Sequence, residues 1–334
     1  MRKIFIVTGA NGFLGNNIVR LLMNEEYDEI RALVLPSDDT NSLQGLDCKI
    51  YYGNVTNITS LEEIFSIQKE DLVYVIHCAG IVYLKSKYNP MVYNVNVNGT
   101  KNVLKMACKI NAKFVYISSV DAIYSKSKKE IIREAKTFDK EKLKGIYSKT
   151  KAEATDFVIE NAIKGNIDAC IVFPSGIIGP NDYGKSHLTQ LIIDVAKGKL
   201  TACVRGGHDF VDVRDVARGV INCALYGKNT SCYILSNKNV MIKELVDYIT
   251  DELGKKRIKT ILPMWFVKMF ILLAELHYAI RRKPPLYTVH ALSTLSNNRK
   301  YDNKKAIDEI GFKTRDIKET VKDTVRWMVE NKRI

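Results

Sequence analysis

The sequence predicts an α/β fold: a doubly wound parallel sheet joined to a smaller, mostly helical C-terminal domain. Three observations carry the prediction. Short apolar runs alternate with helical patterns over the first 180 residues, a glycine-rich turn follows the first run, and the later segments are mostly amphipathic helices. Parallel strands need a crossover of helical length, and those helices cover both faces of the sheet.

The first run, 3–8, is a strand of Ile, Phe and Val that breaks at Gly9, and a helix over 13–23 follows. Further strands are expected at 30–35, 49–52, 72–77, 114–118 and 168–173. Apolar residues three and four apart predict helices over 61–67, 92–110 and 147–162 between them. Later, 215–226, 242–253 and 317–329 read as amphipathic helices, and 232–235 as one more strand. The expected division is a nucleotide-binding domain over 1–180, to which 210–235 returns, and a substrate subdomain from 181–209 and 236–334. No internal repeat appears.

With 334 residues, 46% of them hydrophobic and 26% charged, the chain has the balance of a globular protein rather than a disordered one. Its 51 Lys and Arg against 37 Asp and Glu give a net charge of +14. That excess admits an anionic partner without choosing one, and no motif that reads nucleic acid accompanies it. Seven scattered cysteines, without Cys-x-x-Cys spacing, suit reduced thiols. The five histidines are equally dispersed, so no metal site is expected. The N-terminal apolar run is too short for a signal peptide, and a cytoplasmic protein is expected. The oily stretch 262–280 approaches a membrane span, but Lys268, Glu275 and His277 interrupt it. It reads as a helix over a substrate pocket, with peripheral membrane contact as the sharper alternative.

Thr8-Gly9-Ala10-Asn11-Gly12-Phe13-Leu14-Gly15 lies between strand and helix. Gly9 permits the tight turn, Gly12 a close approach to a pyrophosphate, and Gly15 close packing of helix on strand. The helix N-terminus then offers N–H groups to phosphate oxygens. Gly9, Asn11, Gly12, Phe13, Leu14 and Gly15 are therefore candidate dinucleotide contacts. Leu35, where the second strand ends, stands where an acid would select NAD or an arginine NADP. Ser37 suits a 2′-phosphate and Asp38 a diol, leaving a slight preference for NADP over NAD.

Tyr147 and Lys151 lie four apart, on one face of a helix. A nearby ammonium is expected to lower the phenol pKa and so ready it for proton exchange with an alcohol or carbonyl. Ser119, at a strand end, is placed to hydrogen-bond the reacting oxygen.

Together these segments resemble the extended short-chain dehydrogenases/reductases, the NAD-dependent epimerase/dehydratase family. The likeness continues through Gly53-Asn-Val-Thr56, His77-Cys-Ala-Gly80, Asn96-Val-Asn-Gly-Thr100, Pro174-Ser-Gly-Ile-Ile-Gly-Pro180, Phe210-Val-Asp-Val-Arg-Asp-Val-Ala217 and Tyr233-Ile-Leu-Ser236. The resemblance implies a Rossmann-type fold and places Asn54 and Val55 beside adenine, where the family usually has Asp in place of Asn54. It implies that Ala79 and Gly80 pass the nicotinamide ribose and pyrophosphate, that Lys151 also holds ribose hydroxyls, and that Pro174 to Ile177 pass the carboxamide. Asn96 resembles the asparagine supporting the active-site helix and its proton relay. Ser119, Tyr147, Lys151 and Asn96 form the implied catalytic set.

Within the family, dehydratases usually carry Thr-Asp-Glu where this chain has Ser119-Val120-Asp121, so dehydration is disfavoured. Ser118-Ser119-Val120-Asp121 and the oily 262–280 segment fit members resembling dihydroflavonol reductase or 3β-hydroxysteroid dehydrogenase. The expected reaction is hydride transfer between nicotinamide and a secondary alcohol or ketone on a lipophilic ring, by a homodimer. The alternatives are a nucleotide-sugar 4-epimerase with tightly held NAD, whose diphosphate site would draw on Lys185, Arg205, Arg281 and Arg282, and a non-catalytic dinucleotide sensor or scaffold.

Overall fold

A computed structural model describes residues 1–334 except 26, 84–87, 128–129, 185, 264 and 268–297. Seven parallel strands form its main sheet: β1 (Lys3–Thr8), β2 (Glu29–Val34), β3 (Lys49–Tyr52), β4 (Leu72–His77), β5 (Lys113–Ile117), β7 (Asp168–Pro174) and β11 (Cys232–Leu235). Their order is β11-β7-β5-β4-β1-β2-β3. Alternate residues feed two cores, as the two-residue period of a strand requires. Ile4, Ile6, Val73, Val75 and Phe114 face α3 (Thr100–Lys109) and α4 (Ile146–Ile163). Phe5, Val7, Ala32 and Val115 face α1 (Phe13–Leu22) and α6 (Val213–Tyr226). This is the Rossmann-type α/β architecture the alternation predicted.

The order reverses between β1 and β4, so crossovers leave in opposite directions and open a crevice at the C-terminal strand ends. Thr8, His77, Ile117 and Pro174 end there.

A third core fills the rest of the described chain. Leu191 and Val195 of α5 (His187–Ala196), Leu245 and Ile249 of α7 (Ile242–Glu252), and Val321 and Met328 of α9 (Ile317–Glu330) meet in it. Short strands accompany these helices: β8 (Gly176–Ile178) pairs parallel and β12 (Lys238–Met241) antiparallel with β10 (Gly207–Asp212). β9 (Cys203–Val204) pairs with β13 (Ile261–Leu262), and β6 (Ile131–Ile132) with β14 (Lys300–Tyr301). Within 210–235, α6 and β11 pack with the main sheet, whereas residues 210–212 belong to β10.

Two expected helices differ. The pattern over 61–67 is a single 3-10 turn, Ile58–Leu61, followed by further turns. Leu61, Ile64 and Phe65 still reach the core, so their spacing marks a buried face that short turns satisfy without a helix. The 92–110 helix starts at Pro90, because Asn89 accepts from Met91 N and proline suits the first turn. It is interrupted by a π-turn, Asn94–Gly99, before α3 begins. Most of 262–280 lies outside the described residues, as do Lys185, Arg281 and Arg282. Among the described residues no helix is long and apolar enough to cross a membrane.

Candidate active site

The glycine turn packs as its spacing requires. Gly9 has φ +65, and a Cβ there would lie 2.9 Å from Ala79 Cα; a Cβ on Gly15 would lie 2.2 Å from the Gly9 carbonyl oxygen. Gly12 is the N-cap of α1 and no side chain caps the helix, so the first-turn N–H groups at Phe13 and Leu14 remain for an anion. The crevice thus has the backbone cradle that a dinucleotide pyrophosphate fits. Asn11 Nδ2 donates to Asp38 Oδ2 at 3.1 Å, which brings an acidic loop to the turn. Leu35 follows β2 and is 39% exposed.

Asn54 Oδ1 accepts from the Thr56 amide and hydroxyl, both at 2.9 Å, in an Asx turn. Val55 is buried, and its carbonyl accepts from Asn102 Nδ2 at 2.9 Å. Ile177, on β8, pairs with Val211.

A relay of polar groups ties β1, β4 and α3 together. Thr100 Oγ1 donates to the Asn96 carbonyl at 2.7 Å, so at 3.1 Å it accepts the proton of His77 Nε2. His77 Nδ1 is then the acceptor for Thr8 Oγ1 at 2.7 Å, whose oxygen receives the Ala79 amide at 3.2 Å. Only the neutral imidazole serves both roles. Burial, and secondarily the Lys151 charge, lower its pKa to about 3.

Asn96 lies in the π-turn, where its side chain accepts from Ile81 N at 2.8 Å and donates to Ile81 O at 3.0 Å and Thr150 Oγ1 at 3.2 Å. Thr150 sits between Tyr147 and Lys151, so Asn96 fixes α4 against the loop of Ala79 and Gly80. That loop is close: a Cβ on Gly80 would be 3.3 Å from Asn96 Oδ1 and 3.4 Å from Lys151 Nζ.

Tyr147 is 8% exposed and Ser119 8%, and the serine hydroxyl is close enough to oppose the rise in the phenol pKa. Ser118, one residue earlier, points the other way. Thr155 Oγ1 donates to the Lys151 carbonyl at 2.7 Å, so Ser118 Oγ donates to Thr155 at 2.8 Å and anchors α4 on β5.

The expectation of an acidified Tyr147 needs correction. Burial, then the nearby Asp121 carboxylate, push the phenol pKa upward, and Ser119 opposes them. Lys151 Nζ donates to the Ile117 carbonyl at 2.7 Å and lies 5.0 Å over the Tyr116 ring. Its own pKa falls to about 8, because burial disfavours the ammonium. Burial and Asp121 set the direction of the shift, so the phenol is a proton donor held in place rather than a ready tyrosinate.

Ser119, Tyr147, Lys151 and Asn96 thus come together beside Gly80, at the open end of the sheet. Asp121, half-buried beside Tyr147, is the polar neighbour that the catalytic set omitted. Its place two residues after Ser119 was the available signal. Among the described residues no cluster of His, Cys, Asp and Glu is arranged to hold a metal ion.

Comparison with known proteins agrees with this geometry. The NAD dependent epimerase/dehydratase family matches residues 5–230. A putative dihydroflavonol 4-reductase from Synechocystis sp. is 30% identical over 98% of this chain and 95% of its own length. A putative UDP-glucose 4-epimerase from Methanocaldococcus jannaschii is 26% identical over 99% of this chain and all (100%) of its own. The crystal structure of gox2253 superposes with a TM-score of 0.84 at 27% identity, covering 99% of both chains.

Proposed function

Because the chain belongs to the NAD-dependent epimerase/dehydratase family and is an NAD(P)-dependent enzyme of the extended short-chain dehydrogenase/reductase type, we propose that it interconverts a secondary alcohol and a ketone on a lipophilic ring. The buried Tyr147, with Ser119 beside it and Lys151 against Gly80, carries this reading. When bound, the dinucleotide supplies the exchange of two electrons as hydride. The protein's own groups do the rest. Ser119 holds the substrate oxygen, and Tyr147, protonated by virtue of its burial, gives its proton to that oxygen during reduction. Lys151 would hold ribose hydroxyls, and Asn96 keeps α4 at the right height.

Asn54 and Val55 would border adenine, Ala79 and Gly80 the ribose and pyrophosphate, and Pro174 and Ile177 the carboxamide. Asp38, tied to Asn11, sets a carboxylate beside the turn and would repel a 2′-phosphate. That favours NAD, the reverse of the slight preference drawn from sequence. Titration of the protein with both reduced cofactors tests it: tighter binding of NADH supports the reading, and tighter binding of NADPH contradicts it. The homodimer expected from sequence is part of the same proposal, and analytical ultracentrifugation decides it.

Reduction is tested with purified protein, reduced cofactor and a panel of ring ketones. Ketone-dependent loss of nicotinamide absorbance supports it. The relative named as a UDP-glucose 4-epimerase keeps a second reading in view, in which a UDP-hexose is converted without added cofactor.

A further inference from the structure

Lys151 carries the positive charge of the implied catalytic set, and it is only 6% exposed. A buried ammonium normally pairs with a carboxylate. Among the described residues this one pairs with none, and its one hydrogen bond goes to the Ile117 carbonyl at 2.7 Å. The titratable groups around it are uncharged near neutral pH: His77 from β4, Cys78 just beyond that strand, Tyr116 from β5 and Tyr147 from its own helix. Burial keeps the imidazole neutral, pushes the Cys78 thiol up to about 12 and raises both phenols. Asp121, on the turn after β5, acts on Tyr147 and forms no ion pair with the ammonium.

A ring stands where the counter-ion would be. Lys151 Nζ lies 5.0 Å from the centre of the Tyr116 ring, over its face. The face is the negative part of an aromatic ring, so it attracts a cation, most strongly where water is excluded. Tyr116 is fully buried, and the sheet fixes its place. It is the register partner of His77 across β4 and β5, and the two rings stack with centroids 5.9 Å apart. The lysine is confined as well, because a Cβ on Gly80 would come within 3.4 Å of Nζ.

We propose that Tyr116 is a positioning residue of this site: its ring face, together with the Ile117 carbonyl, keeps the Lys151 side chain charged and in place beside Gly80. What Lys151 does there rests on the reductase reading; the hold of the ring on the ammonium does not. A ring suits a site that must also receive a dinucleotide. It steadies the cation without adding a negative charge that would repel the pyrophosphate.

The experiment follows the titration of Lys151 itself in the intact chain. Acetic anhydride labels only the neutral amine, so the labelling rate at Lys151, read by peptide mass spectrometry from neutral to strongly alkaline pH, gives the midpoint. It is measured in the wild type, Tyr116→Phe, Tyr116→Leu and Phe114→Leu, with thermal denaturation and NADH binding as checks on folding; Tyr116→Met replaces the leucine variant if that one does not fold. Tyr116→Phe keeps the face and should keep the wild-type midpoint. Tyr116→Leu removes the face and should lower the midpoint by about one pH unit, since the charged form loses its support. Phe114→Leu opens a similar gap in the same core and should leave the midpoint where it is. The alkaline limb of kcat/KM for ketone reduction should move with the midpoint. An unshifted midpoint in Tyr116→Leu, or an equal shift in Phe114→Leu, overturns the proposal even where ketones are reduced. A midpoint that shifts as expected in protein inert toward every ketone supports the hold of the ring and overturns the reductase reading alone.

Discussion

The cofactor side and the substrate side of this molecule are built on different principles. On the cofactor side, long parallel strands deliver Thr8, His77 and Ile117 to one edge, and local motifs finish the site. On the side proposed for the substrate, strands of two to six residues, drawn from positions between 131 and 301, form three small sheets that no single stretch encodes. Chemistry is therefore written in local motifs, whereas specificity depends on which distant segments meet. Changes on the first side should abolish a step common to all substrates. Changes on the second should alter which substrate is used.

The largest expected effect tests the common step. Tyr147→Phe keeps the ring and removes the proton donor, and kcat should fall by about a thousandfold or more with cofactor affinity largely kept. Undiminished turnover would remove the distinction between the two sides. Next, Gly15→Val places a Cβ where only 2.2 Å separates it from the Gly9 carbonyl oxygen. Cofactor affinity should drop at least about tenfold by calorimetry, since the backbone of the turn must move to accommodate the side chain. Wild-type affinity in that variant would mean that the turn does not form the cradle.

Acid sharpens the comparison. His77 binds a proton near pH 6.5 when unfolded and near 3 when folded, so the unfolded chain holds more protons in that window. Stability contributed by the neutral imidazole is complete above about pH 6.5 and is lost progressively as pH falls toward 3. Thermal denaturation across that range should show proton uptake on unfolding that His77→Asn reduces. An unchanged pH slope in the variant would contradict the relay. The smallest effect belongs to Ser118→Ala, which removes one buried hydrogen bond at about 1 kcal/mol and should lower Tm by a few degrees at most. A collapse in kcat instead would mean that the two adjacent serines exchange roles.

How much of this was legible depends on the same division. The strands at 3–8, 49–52, 72–77 and 232–235 are expected and observed at the same bounds; three are buried apolar runs between turns, and Lys49–Tyr52 is an exposed edge strand marked by Ile50, Tyr51 and Tyr52. Gly9, Gly12 and Gly15 were legible because each demands glycine for a local reason. The strands of the small sheets were not read in advance. Gly176 and Gly207 open two of them, and a few residues cannot display a period. The state of Tyr147 departs from the expectation because spacing reports neighbours along a helix and says nothing of burial, which pushes the phenol pKa upward.

Ser119 and Tyr147 are proposed to serve a ketone reductase. The most direct measurement mixes purified protein with reduced nicotinamide cofactor and a ring ketone, follows nicotinamide absorbance, and repeats this with Tyr147→Phe. Ketone-dependent oxidation of the cofactor, matched by formation of the alcohol, is expected in the wild type alone. Inertness toward every ketone, with conversion of a UDP-hexose by protein that carries its own bound NAD, would contradict it.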